Sequence, residues 1–380
     1  MEVYLDNSST TKPYDEAVNL MCDVMKSAYG NPSSLHRMGK TAEDLLNKSR
    51  KFLARSVGAK QDEFYFTSGG TESNNIAITG YCLANRREGK RIITQRTEHA
   101  AVLEPFRYLA SNGFDVVYIG VDSLGLPDMT ELKEAINDDT ILLSFMYVNN
   151  ENGAVFPIDE ISGLKKNKKC ALHVDAVQAY GKLPINVKKQ NIDMLSISSH
   201  KIHGPNGIGG LYVSGSVKIN PILFGGGQER GLRSGTENIA SAAAFAKASE
   251  IKLANLNNDN EKMSHLKARL KEKLCENIEN VVVNSPENSV CSILNVSFPG
   301  VKSEVLLHVL ESKGIYVSTG SACNSRKKKF SYVLTEMGLK NEIADSAVRF
   351  SFSGFNTEEE IDYTIDVLQK EIPILRKIMK

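Results

Sequence analysis

Short apolar runs alternate with longer amphipathic runs through the first part of the chain. Six runs rich in β-branched and aromatic residues predict strands, at 63–67, 91–95, 115–120, 141–148, 170–175 and 193–198. Amphipathic stretches of helical length lie between several of these strands, at 71–86, 99–111 and 158–167. Apolar strands joined by helical crossovers are typical of a mainly parallel sheet with helices on both faces. The pattern therefore predicts an α/β fold for this part of the chain.

The rest of the chain follows a different pattern. Residues 238–279 are helical in composition, and the polar sequence NLNNDN predicts a break within them. Thr357 and Glu360 form a predicted capping box at the start of the last helix. Two strands and two helices are predicted after the break, near 290–298, 303–313, 346–352 and 357–371. We predict a large α/β domain at 15–255 and a smaller α+β domain made of 1–14 and 256–380.

Composition and charge narrow the class of protein. The length of 380 residues suits two domains, and 41% hydrophobic with 24% charged residues is typical of a soluble globular protein. A net charge of +1 gives no overall electrostatic field that would attract nucleic acid. No apolar run approaches the ~20 residues of a membrane helix. The first residues lack a secretion signal, and six cysteines are scattered without metal or disulfide spacing. We expect a cytoplasmic protein with free thiols.

A glycine-rich turn follows the first predicted strand, in the sequence FTSGGTESNN at 66–75. Glycine lets the backbone approach a ligand, and the free N–H groups at a helix start favour a phosphate. The turn Gly69–Thr71 is therefore a candidate phosphate site. The spacing matches neither the dinucleotide fingerprint nor the Walker loop. A turn that binds nothing would show the same pattern.

Three polar residues follow other predicted strands in the same way. Asp175 ends an apolar strand, where a carboxylate can face a ligand or cap the next helix. Lys201 sits between a buried strand and a Gly/Pro-rich turn, where partial burial favours imine chemistry, although a solvated loop lysine fits as well. His99 stands at a strand-to-helix junction, as a catalyst or a cap. Together with the glycine turn, these residues indicate a pyridoxal-phosphate site.

Two further stretches carry candidate chemistry. The sequence GGGQERGLRSGTENIA at 225–240 contains Thr236, and a surface loop is the plain interpretation of its glycines. The sequence STGSACNSRKKKF at 318–330 places Cys323 among small side chains and before four cations, which favour a thiolate. An ordinary loop thiol has the same local sequence, so this stretch alone leaves both interpretations open.

The whole chain resembles the cysteine desulfurases of the NifS/IscS type, which are class V, fold-type I pyridoxal-phosphate enzymes. The resemblance runs through ten motifs in order: YLDNSSTT, GNPSSLHRMG, FTSGGTESNN, TEHAAVL, VNNENGAVFPI, HVDAVQAYGKLPI, SSHKIHGPNGIGGLYV, GGGQERGLRSGTENIA, STGSACNS and AVRFSFSGFNTEEEID.

The resemblance implies a role for each matching position. Lys201 would hold the cofactor covalently, Asp175 would face the pyridine nitrogen, and His99 would stack on the ring and move protons. Gln178 would reach the ring hydroxyl. Asn150 and Arg349 would orient the cofactor and the substrate carboxylate, the arginine through a fork of two hydrogen bonds. The phosphate would be bound by Gly70, Thr71, Ser198 and His200, and by Thr236 of the partner subunit of a homodimer.

The resemblance also implies the reaction. Cys323 would attack the sulfur of L-cysteine, which leaves L-alanine and a persulfide on Cys323. The sulfur would pass to an acceptor protein, an iron–sulfur scaffold or a tRNA thiolase. Three alternatives stay open at this point: a class V aminotransferase, a selenocysteine lyase, and a non-enzymatic binding protein that retains the fold.

Overall fold

The computed structural model describes residues 1–165, 170–320 and 331–379. The strands in these ranges are β1 Val3–Tyr4, β2 Phe64–Thr67, β3 Arg91–Gln95, β4 Asp115–Ile119, β5 Thr140–Met146, β6 Ala171–Asp175, β7 Met194–Ser198, β8 Gly209–Val213, β9 Val282–Val283, β10 Ile293–Ser297, β11 Ile315–Tyr316, β12 Ser318–Thr319 and β13 Ala347–Ser351.

The α-helices in the same ranges are α1 Asp15–Ser27, α2 Arg37–Ser56, α3 Gly70–Asn75, α4 Tyr81–Asn85, α5 Ala100–Ser111, α6 Met129–Ala135, α7 Ile158–Gly163, α8 Ile239–Ala254, α9 Leu256–Asn277, α10 Ser303–Ser312, α11 Tyr332–Glu336, α12 Asn341–Asp345 and α13 Glu358–Ile378. A π-helical segment, Ile76–Gly80, joins α3 to α4. No helix in the described ranges has the length and apolar character to cross a membrane.

Seven strands form the main sheet in the order β2-β8-β7-β6-β5-β3-β4. Neighbours from β7 to β4 run parallel, whereas β8 is antiparallel to both β2 and β7. The six predicted strands are all present, and the α/β fold class is confirmed. β8 was not predicted, because its sequence GGLYV begins with two glycines, which are rare in strand interiors.

Neighbouring residues of the buried strands pack on opposite faces of the main sheet. In β5, Leu142 belongs to the apolar cluster that contains α5, and Leu143 belongs to the cluster that contains α2 and α8. Ile92 and Ile93 of β3 divide between the two clusters in the same way. Both faces are therefore covered by helices, which is why these strands are continuous apolar runs.

A second sheet has the antiparallel order β12-β13-β10-β9, and β1 pairs in parallel with β11. The apolar core beside this second sheet contains Val3 and Leu5 together with apolar residues of α9, α10 and α13. The first strand of the chain thus packs with elements from the far end of the sequence. The domain bounds at 14/15 and 255/256 remain a prediction.

Two details of the helical region can be compared with the sequence. The capping box of Thr357 and Glu360 is confirmed. The predicted break within 238–279 is a single residue, Asn255, and the polar segment after it forms the first turn of α9. Lys252 of α8 and Asp259 of α9 are 2.5 Å apart between Nζ and Oδ2, so an ion pair holds the two helices across the break.

A buried ion pair holds the glycine-rich loop at 225–236 against the edge of the main sheet. Arg50 of α2 donates from Nη1 and Nη2 to Glu229 Oε2 and Oε1, at 2.5 and 2.7 Å. Glu229 Oε2 also accepts from the backbone N–H of Phe66 in β2 at 2.9 Å. Glu229 and Arg230 have φ of 49° and 55°, a strained region for residues other than glycine. The ion pair therefore stabilises a loop conformation that the backbone alone disfavours.

We expect Arg50→Met to lower stability by about 3–5 kcal/mol, because it leaves the Glu229 carboxylate buried without its cation. The midpoint of thermal unfolding measures this loss. Arg107→Met is the matched control, since its ion pair with Glu104 lies on the surface and is worth about 1 kcal/mol or less. Equal shifts in the two variants would contradict the role of the buried pair.

Candidate active site

The carboxyl ends of five strands meet at one edge of the main sheet. β2, β3, β5, β6 and β7 all run in the same direction, because β8 is antiparallel to both of its neighbours. A cavity of about 320 Å³ lies at this edge. It is lined by Ser8, Ser9, Gly70, Thr71, Asn74, His99, Ala101, Met146, Val148, Asn150, Asp175, Val177, Gln178, Ser198, His200, Lys201 and Arg349.

The cavity brings together ten of the twelve residues that the sequence predicted for the site. Two are not part of it. Thr236 is exposed, on the segment before α8, and does not line the cavity. Cys323 lies outside the described residues.

The glycine turn closes one end of the cavity. Gly69 has φ of 154°, which side chains rarely adopt, and α3 begins at Gly70. A Cβ on Gly70 would lie 2.6 Å from Val177 Cγ2, so only glycine fits between the turn and the cavity wall. The buried Oγ of Ser198 beside it has no hydrogen-bond partner among the described residues. The arrangement offers backbone N–H groups and a hydroxyl to an anion.

Asp175 at the end of β6 makes hydrogen bonds in two directions. Oδ1 accepts from the backbone N–H of Val177 at 3.0 Å, and Oδ2 accepts from Asn74 Nδ2 at 2.6 Å. The capping interpretation and the site interpretation therefore both hold, because the same carboxylate caps the next turn and lines the cavity. Asn74 was missed by the sequence analysis, although it lies one helical turn after Thr71.

His99 is also both a cap and a site residue. Its Nδ1 accepts from the backbone N–H of Ala101 at 3.0 Å, at the start of α5. Burial lowers the pKa of His99, the charge of Lys201 lowers it further, and the charge of Asp175 opposes them. The imidazole is therefore neutral at neutral pH, and its one proton lies on Nε2.

Lys201 is held by the N-terminal segment. It lies in a 3₁₀ turn directly after β7, and its Nζ donates to the carbonyl oxygens of Ser8 and Ser9 at 2.5 and 2.8 Å. Gln178 Nε2 donates to the same Ser8 oxygen at 2.9 Å. Beside Lys201, burial and nearby lysine charges lower the pKa of His200 to about 4. The lysine is partly buried, as the sequence predicted.

Arg349 of β13 brings a guanidinium from the second sheet to the cavity. Its Nη1 donates to the Asn150 carbonyl at 2.8 Å, and its Nη2 donates to Asp6 Oδ1 and Ser9 Oγ at 2.8 and 2.7 Å. Arg349 Nε and Asn150 Oδ1 are buried and have no hydrogen-bond partner among the described residues. Asp6 was not predicted, because its role depends on a partner 343 positions away.

A second buried carboxyl lies near Asp175. Glu98 accepts from the backbone N–H of Met146 at 2.5 Å and from Gln95 Nε2 at 3.2 Å. Burial raises the pKa of Glu98 well above its ordinary value, and the charge of Asp175 raises it further. Burial therefore disfavours the charged form of Glu98 beside Asp175.

A model of the aminotransferase class V family matches residues 3–364. The chain belongs to this family. Curated relatives named cysteine desulfurase IscS include that of Methanosarcina thermophila, 44% identical over 99% of this chain and 93% of the relative. Another, from Dictyoglomus turgidum, is 41% identical over 99% of this chain and 96% of the relative.

Solved structures of the family are also similar. One described as a NifS-like protein has a TM-score of 0.93 and 38% identity, covering 99% of this chain and 100% of its own. A NifS-like protein from Rickettsia africae has a TM-score of 0.88 and 31% identity, covering 98% and 100%. The predicted family, fold and enzyme class, a pyridoxal-phosphate-dependent cysteine desulfurase, are therefore confirmed.

The residues present fit pyridoxal phosphate. Among the described residues, the buried Ser198 Oγ lacks a partner at the end of the cavity that offers backbone N–H groups to a phosphate. Asn150 Oδ1 and Arg349 Nε lack partners at the other side of the cavity. The cavity lining also includes one amine, Lys201, and one carboxylate, Asp175. Orphaned buried polar groups are costly unless a ligand satisfies them.

Glu151 supports the described ends of the segment that contains Cys323. It accepts a hydrogen bond from Ser331 Oγ, and a Cβ on Gly320 would lie 3.0 Å from the same Oε2. Burial raises the pKa of Glu151 to about 7, although the Ser331 hydrogen bond and the Arg349 charge oppose this. The folded chain therefore holds this proton more tightly than the unfolded chain.

We expect Glu151→Gln to change how stability depends on pH. Wild type loses the contribution of the bound proton as the pH rises from about 5 to about 7, which amounts to at most about 3 kcal/mol. The glutamine variant has no such proton, so its thermal midpoint should rise relative to wild type over this range. Glu304→Gln, at an exposed helix start, is the control. Parallel curves for wild type and Glu151→Gln would contradict the expectation.

Proposed function

We propose that this chain converts L-cysteine to L-alanine and receives the sulfur atom on Cys323. The observation that carries the proposal is the convergence of Lys201, Asp175 and Arg349 on one cavity. An amine that can hold the cofactor, a carboxylate for its ring nitrogen and a guanidinium for the substrate are the three groups that the reaction requires. A protein that only binds has no need of all three.

Arg349 binds the substrate carboxylate. Three of its five N–H groups are engaged by Asn150, Asp6 and Ser9, which leaves one on Nε and one on Nη1. A bidentate complex with carboxylate uses two parallel N–H groups. The substrate carboxylate therefore either shares the guanidinium with Asp6 or displaces Asp6 from it.

The cofactor, when bound, withdraws electrons from the substrate and so labilises its bonds. Lys201 Nζ, released from the Ser8 and Ser9 carbonyls, takes and returns the substrate proton. His99 covers the cavity as a neutral ring, and its Nε2–H can donate to a group in the cavity. Asp175, fixed by Asn74, would face the ring nitrogen. The phosphate would be held by Gly70, Thr71, Ser198 and His200.

The thiolate of Cys323 attacks the sulfur of the substrate. The carbon–sulfur bond of cysteine breaks, a sulfur–sulfur bond forms on Cys323, and the substrate carbon is protonated to give alanine. The sum is cysteine plus enzyme thiol giving alanine plus enzyme persulfide, with no external oxidant or reductant. An aminotransferase, unlike a cysteine desulfurase, would not need Cys323.

We propose further that the chain works as a cytoplasmic homodimer. An open groove of about 750 Å³ adjoins the cavity and shares Thr71 and His99 with it. Tyr108 and Phe224 are exposed along this groove, with Phe224 81% accessible. A second copy would cover these apolar side chains and bring its Thr236 to the phosphate end. The sulfur acceptor would be an iron–sulfur scaffold protein or a tRNA thiolase.

Cys323→Ala should abolish sulfide release from L-cysteine, with at least about a hundredfold loss, while the protein keeps its yellow bound cofactor. The control is Cys275→Ala, which removes another exposed thiol and should leave the rate unchanged. Mass spectrometry of wild type after incubation with cysteine should find one extra sulfur on Cys323. Full sulfide release by Cys323→Ala would exclude the persulfide step.

Lys201→Ala should lose both the yellow colour and turnover, because no other amine lines the cavity among the described residues. Absorbance after addition of pyridoxal phosphate and removal of the excess measures the covalent link. A Lys201→Ala protein that supported turnover as well as wild type would refute the assignment of this lysine.

Thr236→Val should weaken cofactor binding, and mixing should reveal which subunit supplies the threonine. In a heterodimer with Lys201→Ala, the Thr236→Val subunit keeps its lysine and receives a normal threonine from its partner. Equal mixing with subunit exchange should therefore restore roughly a quarter of the sites. Cofactor content after gel filtration measures this recovery. No recovery despite exchange would assign Thr236 to its own subunit.

A further inference from the structure

Lys182 is a buried lysine that the proposed reaction does not use. It is 6% exposed, on the turn that follows β6, and its carbonyl accepts from Asn260 Nδ2 at 2.7 Å. Its Nζ donates to Gln178 Oε1 at 2.9 Å, and no carboxylate pairs with it among the described residues. A buried cation without a carboxylate is costly, so its presence calls for a compensating role.

The turn itself directs Lys182 back toward the cavity. Gly181 has φ of 73°, and a Cβ there would lie 2.9 Å from both Ile202 Cγ2 and Lys252 Cγ. Lys182 N–H donates to the Ala179 carbonyl at 2.9 Å. The backbone thus reverses direction within the motif, which places the side chain of Lys182 beside that of Gln178, four residues earlier.

A chain of hydrogen bonds connects Lys182 to Lys201. Lys182 donates to Gln178 Oε1, Gln178 Nε2 donates to the Ser8 carbonyl, and Lys201 Nζ donates to the same carbonyl. Gln178 lines the cavity, whereas Lys182 does not. The hydrogen-bonded path from Lys182 to the site therefore passes through the amide of Gln178, while its charge also acts through space on Lys201 and His200.

An ammonium group can only donate, and this determines which way the Gln178 amide points. The charged form of Lys182 must therefore face the amide oxygen, and the Ser8 carbonyl, which can only accept, faces the amide nitrogen. One N–H of Nε2 binds the Ser8 carbonyl, and the second is available to an acceptor in the cavity. Without Lys182, only the hydrogen bond to the Ser8 carbonyl would hold the amide in this orientation, and a flipped amide would turn its oxygen toward an acceptor in the cavity.

The surroundings of Lys182 are strongly cationic. The pKa of Lys182 is lowered to about 7. Burial is the largest cause, and the charges of neighbouring cations also lower it. Gln178 is thus held by a group that is partly charged at neutral pH. The titratable groups that face it from the packed elements are Lys201 after β7, Lys252 of α8 with its partner Asp259 of α9, Cys291 before β10, and Arg349 of β13.

We propose that Lys182 is a positioning residue that orients the Gln178 amide so that its nitrogen donates to the ring oxygen of the cofactor held on Lys201. The inference rests on the proposed function, because it assumes the cofactor in this cavity. A donor to that oxygen stabilises its negative charge, and so lowers the affinity of the Lys201 nitrogen for its proton. Lys182 would set this affinity without touching the cofactor.

The test is an absorbance titration of the protein loaded with pyridoxal phosphate, since the colour depends on protonation at the Lys201 link. Lys182→Met and Gln178→Leu should each raise the midpoint by about one pH unit, a tenfold increase in proton affinity. The double variant should shift little further than Gln178→Leu alone, because the hydrogen bond of Lys182 reaches the site through Gln178. Additive shifts, or a wild-type midpoint in Lys182→Met, would overturn the inference.

Lys267→Met is the matched control, because Lys267 is also largely buried but donates to Ser289 and Val290, away from the cavity. It should leave the midpoint unchanged, and a shift equal to that of Lys182→Met would overturn the inference. If Lys182→Met does not fold, Lys182→Gln takes its place. The glutamine side chain can still donate to Gln178 Oε1, so the titration midpoint of Lys182→Gln should stay near that of wild type. A shift as large as that of Gln178→Leu would count against the inference.

The proposed function fails in a different way. If wild type stays colourless with pyridoxal phosphate, or Lys201→Ala stays yellow, the cofactor assignment fails. If wild type is yellow and titrates, and Lys182→Met titrates at the same pH, only the role of Lys182 is lost.

Discussion

The hydrogen bonds of residues 6–9 hold the two halves of the site together. The Ser8 and Ser9 carbonyls accept from Lys201 on the main sheet, while Asp6 and the Ser9 hydroxyl accept from Arg349 on the second sheet. Asn7 adds a bond from its side chain to the Ser351 carbonyl at 2.8 Å. A short segment at the start of the chain thus links residues about 190 and 340 positions away. The distance between the amine and the guanidinium depends on this segment.

Burial determines the charges in the cavity. It lowers the pKa of His99 and His200, which keeps both rings neutral, and it raises the pKa of Glu98 beside Asp175, so each pKa is moved in the direction that removes charge. The charged groups that remain are those with hydrogen bonds in the structure, such as Asp175 with Asn74 and Arg349 with Asp6. The site therefore keeps few charges, and each is held in one orientation.

The sequence was sufficient to predict the features that depend on a local pattern of apolar and polar residues. Strands buried on both faces are continuous apolar runs, so β3, β5, β6 and β7 could be predicted, and polar residues at their ends could be assigned to one edge. Asn74, Asp6 and Lys182 could not be predicted, because their roles depend on contacts across the fold. β8 was missed because its glycines break the strand pattern. Asp175 and His99 show that a cap and a site residue can be the same side chain.

The glycines of β8 have a consequence for how the glycine turn could evolve. A Cβ on Gly209 would lie 2.7 Å from the backbone of Gly69, and a Cβ on Gly210 would lie 2.2 Å from the ring of Phe64. Side chains at either position would lift the turn or its strand away from the sheet. Mutational tolerance at the phosphate end is thus limited by a neighbouring strand that contributes no side chain to ligand binding. Sequence drift at 209 and 210 should be as restricted as drift in the turn itself.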